Sequence, residues 1–337
     1  MSSGNHRIVL ADHPVGEPRP ADFRFEEVAM PVPGDGQVLL RTIYLSLDPY
    51  MRRRIDRGDT DPRAVRPGRL MPGGTICEVV KSRTPDFRPG DLVTNGAGWR
   101  QYSVADARAV RALDVTAMPS ATALGVLGMP GFTGYAGLVK IGAPQPGETV
   151  VVAAATGPVG STVGQVARMA GARVVGIAGG PRKCAHLIDD LGFDAAVDHR
   201  DPDFARRLAA AVPDGIDVYF ENVGGAVLDA VLPRLNEFCR IPLCGLVAQY
   251  NATEAPGTDR LPGFLDRLLE VHGTVRAFAM TEFVGELYKQ FVKDMSSWIQ
   301  DGRFVYREDI TDGLENAPAA FIGMLRGENL GKTVVRM

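Results

Sequence analysis

Cysteine is scarce in this chain: four in 337 residues, with no C-x-x-C pair. That spacing offers neither a disulfide framework nor a thiolate cluster, so Cys77, Cys184, Cys239 and Cys244 read as reduced, semi-buried thiols. Histidine is nearly as sparse. His6, His13, His186, His199 and His272 are scattered, and no Cys/His/Glu spacing resembles a zinc site. No G-x-S-x-G elbow supplies a hydrolase nucleophile. No stretch approaches about 18 uninterrupted apolar residues, so no membrane span is expected. The opening MSSGNHRIVLADHP lacks an apolar targeting core, and the cytoplasm is the expected location. Neither sign of charge dominates. A net charge of −3 gives no reason to expect nucleic acid or an acidic membrane surface as a partner. The one local excess is basic, at residues 51–69, where Gly and Pro suggest a solvated surface loop.

What is present begins with a change of rhythm. At 337 residues two domains are expected. The first part is rich in short strands and turns, such as GQVLLRTIYLSL, GGTICEVV and PGDLVT. From about Gly147 buried strands alternate with helices: ETVVVAAA, ARVVGIAG, AAVDH, IDVYFENVGG and FCRIPLCGLV are the strand candidates. That alternation predicts an α/β fold with a doubly wound parallel sheet. The tail, from FVYREDI to KTVVRM, returns to strand-like segments. A β-rich domain built from both chain ends (residues 1–126 and 300–337) with an α/β domain (127–299) inserted is the expected division.

The stretch AAATGPVGSTVGQ, residues 153–165, leads from a buried strand into a helix. Backbone N–H groups and the helix dipole make such a turn favourable for phosphate. Gly157 permits close approach to a pyrophosphate and Gly160 permits close helix-to-strand packing. Ala155 stands where the first glycine of G-x-G-x-x-G falls, at little cost if φ there is negative. The second strand ends in GIAGGPRKC, so Gly179 and Gly180 occupy the place of an acid that would grip a ribose 2′-hydroxyl. Arg182 and Lys183 follow and would attract a 2′-phosphate. The cofactor reading is NADP(H), with no metal. Hydride addition to a conjugated C=C then fits better than direct ketone reduction, because the adjacent carbonyl takes the charge.

Five blocks in order complete the reading: YLSLDPYMR (44–52), GMPGFTGYAGL (128–138), ENVGGAVLDAVLPRL (221–235), CGLVAQYN (244–251) and GLENAPAAFIGMLRGENLGKTVVRM (313–337). Together they resemble the zinc-free medium-chain reductases, the group of prostaglandin reductase, plant double-bond reductases and bacterial curcumin reductase. The resemblance implies a GroES-like β-rich domain carrying a Rossmann domain, NADPH as cofactor, enals and enones as substrates, and a homodimer. It implies that Gly157, Pro158, Val159 and Gly160 line the pyrophosphate and that Lys183 meets the 2′-phosphate. Asn222, the stretch from Cys244 and Gly245 to Tyr250, and Phe278, Ala279 and Met280 would border ribose and nicotinamide. Asn329 would touch the cofactor from the C-terminal segment, and Tyr50 would face the substrate. His199 stands where the family usually has a tyrosine beside the adenosine phosphate, and Arg276-Ala277 replaces a polar-Gly pair. Tyr50, Tyr250 and the cofactor ribose hydroxyl are the candidate donors to an enolate, with a packed structural role as the alternative for Tyr50. A quinone reductase of the same superfamily and a non-catalytic NADPH-binding protein remain the alternative functions.

Overall fold

A computed structural model describes residues 4–56, 62–113, 118–253 and 259–337. The chain divides into two compact units, Met1–Gly125 with Glu308–Met337, and Val126–Arg307. The first unit opens with strands β1 (Asn5–Leu10), β2 (Phe23–Val28) and β3 (Gln37–Ser46), then the short helix α1 (Tyr50–Arg54). Strands β4 (Thr75–Ser82), β5 (Leu92–Asn95), β6 (Tyr102–Asp106) and β7 (Arg111–Ala112) follow. The inserted unit runs α2 (Met129–Gly137), β8 (Thr149–Ala153), α3 (Pro158–Met169), β9 (Arg173–Ala178), α4 (Pro181–Ala185) and β10 (Ala195–Asp198). It continues through α5 (Phe204–Ala211), β11 (Ile216–Phe220), α6 (Gly225–Val231), β12 (Leu235–Leu243), α7 (Leu261–Glu270), β13 (Thr274–Ala277) and α8 (Val284–Gln300). The chain then re-enters the first unit with β14 (Glu308–Asp312), α9 (Ala317–Leu325) and β15 (Lys332–Arg336). Among the described residues no helix is long and apolar enough to cross a membrane.

In the inserted unit the described strands form one parallel sheet, ordered β10-β9-β8-β11-β12-β13. This is the doubly wound dinucleotide-binding order, with a switch of direction between β8 and β11. The central strands β8, β9 and β11 are buried on both faces because helices cover both. Val150 and Val152 of β8 pack with Val163, Val166 and Ala167 of α3. Val151 and Ala153 face the other way, into a core that holds Val227 and Val231 of α6. The α/β class expected from the sequence is the one observed.

In the first unit β1 pairs antiparallel with β2, and a second sheet is ordered β14-β15-β3-β4-β5-β7 with β6 also on β3. Ten-residue β3 is its spine, sending Val38 and Leu40 into one core and Leu45 into another. Trp99 is fully buried, stacked on Phe23 at 5.7 Å and edge-on to Phe321 at 5.8 Å. The basic run at 51–69 is in part the solvated loop expected, with Arg53, Arg63, Arg66 and Arg69 exposed, but its beginning is not. It opens on α1, and Arg52 is buried, ion-paired with Asp56 and donating to the Gly16 carbonyl at 2.8 Å. Residues 57–61 of that run lie outside the described residues.

A second buried cation ties the chain's return to its beginning. Lys332, on β15, donates from Nζ to the Leu47 carbonyl at 2.6 Å and to Asp48 Oδ1 at 3.0 Å, with both side chains buried. Ser46 donates to the other Asp48 oxygen. Glu308 lies opposite Lys332 in the β14–β15 ladder. Burial raises its carboxyl pKa, the lysine charge pulling the other way. Removing one member of such a buried pair leaves the other uncompensated, at about 3–5 kcal/mol. Lys332→Met is therefore expected to lower the urea midpoint of unfolding markedly, and adding Asp48→Asn to recover most of the loss. Equilibrium denaturation followed by tryptophan fluorescence checks both variants. A single variant as stable as the parent would contradict the pairing.

Candidate functional site

The site begins where β8 ends. All five β8 residues are buried, and the chain must turn sharply to start α3 at Pro158. Ala154 takes φ 51°, a left-handed conformation that costs a residue with a Cβ about 1 kcal/mol. Ala155 is not among the residues of positive φ, so the missing glycine of the motif is sterically cheap. The Gly157 N–H donates to the Ala154 carbonyl at 3.1 Å and closes the turn. Gly160 is fixed by close approach: a Cβ there would lie 2.5 Å from the Ala154 oxygen and 2.7 Å from Ala155 Cα. Pro158 has no N–H, and no side chain caps α3. The N–H groups of Val159 and Gly160 therefore stand open at the positive end of the helix dipole, as an anion site made of backbone.

The end of β9 carries the opposite device. Gly180 takes φ 91° and its N–H donates to Asp198 Oδ1 at 2.8 Å. The Arg200 N–H donates to the same oxygen at 2.9 Å. Burial opposes ionisation of Asp198, but these two N–H groups and then the His199 and Arg200 charges hold its carboxyl below the usual carboxylate range. An acid does stand near the sheet end where none was expected. It arrives from the neighbouring strand, by the β9–β10 pairing that sets Asp198 opposite Ala178. A Cβ on Gly179 would come 2.9 Å from both His199 Nε2 and Arg200 Nε, so both side chains overlie that glycine. Desolvation, followed by the Arg200 charge and with a smaller push from Lys183, holds the His199 pKa below its usual value, while Asp198 pulls against them. Arg200 is the cation that sequence reasoning does not single out. Its only signal is the D-H-R triplet that closes β10.

Across the switch point, Asn222 Nδ2 donates to the Ala153 carbonyl at 2.8 Å and joins the end of β11 to the end of β8. The segment 244–250 runs alongside: the Val247 N–H donates to the Asn222 carbonyl at 3.1 Å and the Ala248 N–H to that of Val223 at 3.0 Å. The Tyr250 phenol oxygen lies 3.4 Å from where a Gly245 Cβ would stand. Gly157, Pro158, Val159, Gly160, Asn222, Cys244, Gly245 and Tyr250 thus gather at the ends of β8, β11 and β12. Beyond β13, Phe278 packs edge-on to Phe220 at 6.2 Å, the Ala279 N–H donates to Glu282 at 2.7 Å, and Met280 opens a 3-10 turn. Arg276 is held by Glu282 at 2.9 Å and lies 5.2 Å over the Phe283 ring.

Tyr50 and Asn329 belong to the other unit. Tyr50 opens α1 directly after Asp48-Pro49, with the Arg54 guanidinium 4.8 Å over its ring. Burial and then the Asp48 charge push its phenol up to about 12, with Arg54 and Arg63 opposing. It is an O–H donor throughout the neutral range. Asn329 Nδ2 donates to the Gly331 carbonyl at 2.8 Å, within its own turn. Among the described residues no three His, Cys, Asp or Glu side chains group so as to hold a metal ion.

Residues 6–113 match the family described as N-terminal domain of oxidoreductase, and residues 158–295 that described as zinc-binding dehydrogenase. NADPH-dependent curcumin reductase of Escherichia coli (strain K12) is 51% identical over 334 residues, 99% of this chain and 97% of that protein. Prostaglandin reductase 1 of Sus scrofa is 38% identical over 333 residues, 97% of each chain. The chain belongs to the zinc-independent medium-chain dehydrogenase/reductase family. The crystal structure of CurA in complex with NADPH from Vibrio vulnificus matches at a TM-score of 0.95 and 47% identity, covering 98% of this chain and 99% of that one.

All four thiols of this medium-chain reductase are free, and each is held above its usual pKa first by burial. Cys244 is the extreme, pushed up to about 12 by burial and then by the Glu221 charge. Since the thiolate is the nucleophile, native protein at pH 8 is expected to react with a disulfide reagent far more slowly than a free thiol. Counting reacted thiols before and after denaturation checks this. Fast labelling of Cys244, located by peptide mapping, would show an ionised thiol instead.

Proposed function

We propose that this protein is an NADPH-dependent reductase of the conjugated C=C bond of α,β-unsaturated aldehydes and ketones. The observation that carries the reading is an uncapped helix N-terminus after β8, followed at the next strand ends by His199 and Arg200 over Gly179. The first suits a pyrophosphate and the second, with Lys183 and Arg182, a 2′-phosphate. The residues fit that cofactor: Gly160 leaves the turn open, and Asp198 keeps Oδ1 on backbone donors. The relatives named for curcumin and prostaglandin reduction support the reaction class. In the same reading Asn222, Cys244, Gly245, Tyr250, Phe278, Ala279 and Met280 line ribose and nicotinamide. The proposed assembly is a cytoplasmic homodimer. In its support, α7 exposes Leu261, Leu265 and Leu269 along one stripe, and β13 ends the sheet, surfaces that a second copy would cover.

When bound, NADPH would supply a hydride to the β-carbon of the substrate, the first half of a reduction that a proton at the α-carbon completes. Negative charge then builds on the carbonyl oxygen, and one well-placed donor there is worth about 3 kcal/mol. Tyr50 is the proposed donor, kept protonated by its surroundings. Tyr250 borders the cofactor segment and is proposed to hold its placement.

NADPH consumption measured against enals, enones and quinones of graded length tests the function. Enones are expected to be turned over, and Tyr50→Phe to lower kcat on them about 100-fold with little change in NADPH affinity. Turnover of quinones alone would assign a quinone reductase. Binding of NADPH with no oxidation by any electrophile would assign a binding protein.

Cofactor choice gives an independent prediction. Lys183→Glu removes an attraction and adds a repulsion, and is expected to raise KM for NADPH about tenfold while sparing NADH. His199 adds a pH signature. Its pKa is depressed in the free protein and would rise beside a dianion, so binding takes up a proton. The preference for NADPH over NADH should therefore grow as pH falls from about 8 to 6, and flatten in His199→Gln. A pH-independent ratio in the parent protein would leave His199 structural.

A further inference from the structure

We infer that Glu221 is a positioning residue whose carboxylate and carbonyl together set the wall formed by Asn222, Cys244 and Gly245, and with it the seat of the cofactor's nicotinamide half. The inference rests on the cofactor site proposed at the ends of β8 and β11.

Glu221 follows β11 directly and is 1% exposed. Its Oε1 accepts from the N–H groups of Val223 at 2.6 Å and Gly224 at 2.9 Å, at the start of α6. Those two N–H groups lie just before the helix, which has no side-chain cap. Its backbone carbonyl accepts from Cys244 at 2.9 Å and from Gly245 at 3.1 Å, while its own N–H donates to Pro242 at 3.0 Å. One residue therefore joins three segments: the end of β11, the start of α6 and the exit of β12. Asn222 is held between these anchors, and from there its amide reaches the Ala153 carbonyl.

The carboxylate itself is hard to explain by stability. Oε2 is buried, and desolvation raises the carboxyl pKa above its usual value, with the buried phenol of Tyr219, two residues back on the same face of the strand, as the side chain that favours its charge. Burying such a group opposes folding. What the side chain does supply is one oxygen, at the right reach, for two otherwise unmet N–H groups. None of its bonds goes to β9 or β10, where Lys183, His199 and Arg200 stand. Loss of Glu221 should thus be felt by one half of the cofactor and not by the other.

Titration of NADPH and of 2′,5′-ADP, which carries only the adenosine half, separates the two. Glu221→Ala is expected to weaken NADPH about tenfold and to leave 2′,5′-ADP within about twofold. Glu221→Gln keeps an oxygen for both N–H groups and offers an N–H to Tyr219, so it should restore NADPH affinity. Glu221→Asp keeps the charge but is one carbon short, and should behave like the alanine variant. If the alanine variant fails to fold, the contrast between Gln and Asp decides. Equal loss of both ligands, no loss of either, or a glutamine variant as weak as the aspartate one would overturn the assignment. A parent protein that does not bind 2′,5′-ADP would overturn the cofactor reading itself.

Discussion

Helix α3 after β8 packs on one face of the sheet and helix α6 after β11 on the other, although the two strands are neighbours. Their following chains must therefore part, and the gap they leave is the constraint from which the inserted unit's site follows. Open backbone at such a gap needs partners, and the Asn222 amide on the Ala153 carbonyl is one of the few that crosses it. The turn after β8 must stay tight enough to leave that carbonyl in place. This accounts for an alanine in the left-handed region at 154 and for a glycine at 160, where a Cβ would strike the turn.

The first unit depends on a different kind of constraint. Lys332 is buried with Asp48, and Glu308 stands beside it in the sheet. Two charges buried together give little net stability, yet neither can be withdrawn alone. Such a pair fixes register more than it adds strength. It locks β15, near the end of the chain, to the Leu47-Asp48 turn that begins α1. Tyr50 follows two residues later, its ring already half-enclosed and covered by Arg54. The C-terminal strand thereby holds a tyrosine more than 280 residues earlier in the chain.

What was legible in the sequence, and what was not, divides along the same physical line. Strand β8 could be read because both its faces are buried, so Thr149-Val150-Val151-Val152 is apolar throughout with no alternation to confuse it. The turn after it could be read because Gly157 and Gly160 answer to local sterics. The choice of NADP(H) rested on Gly179, Gly180, Arg182 and Lys183, all within one turn. Asp198 and Arg200 escaped because only the β9–β10 pairing brings them to Gly180. Glu221 escaped because its partners are backbone N–H groups, which carry no sequence signal. Arg52 escaped because a distant carbonyl, that of Gly16, takes it out of solvent. Tyr50 was visible only through resemblance, since a tyrosine after Asp-Pro has many structural uses.

These placements sort charge along the edge of the parallel sheet. At the ends of β9 and β10, Lys183 is half-buried and Arg200 exposed, and desolvation followed by the Arg200 charge holds the His199 ring below its usual pKa. At the ends of β11 and β12, burial drives the groups the other way. The carboxyl of Glu221 and the thiol of Cys244 are both raised by desolvation, so each is shifted toward its uncharged form. The same holds in the first unit for the phenol of Tyr50. Both shifts have one kind of cause, since a low dielectric penalises the charged form of a thiol or a phenol. The two outcomes differ in chemistry. A neutral thiol is a poor nucleophile, whereas a neutral phenol keeps an O–H, so burial quiets Cys244 in the inserted unit and leaves Tyr50 a hydrogen-bond donor in the first.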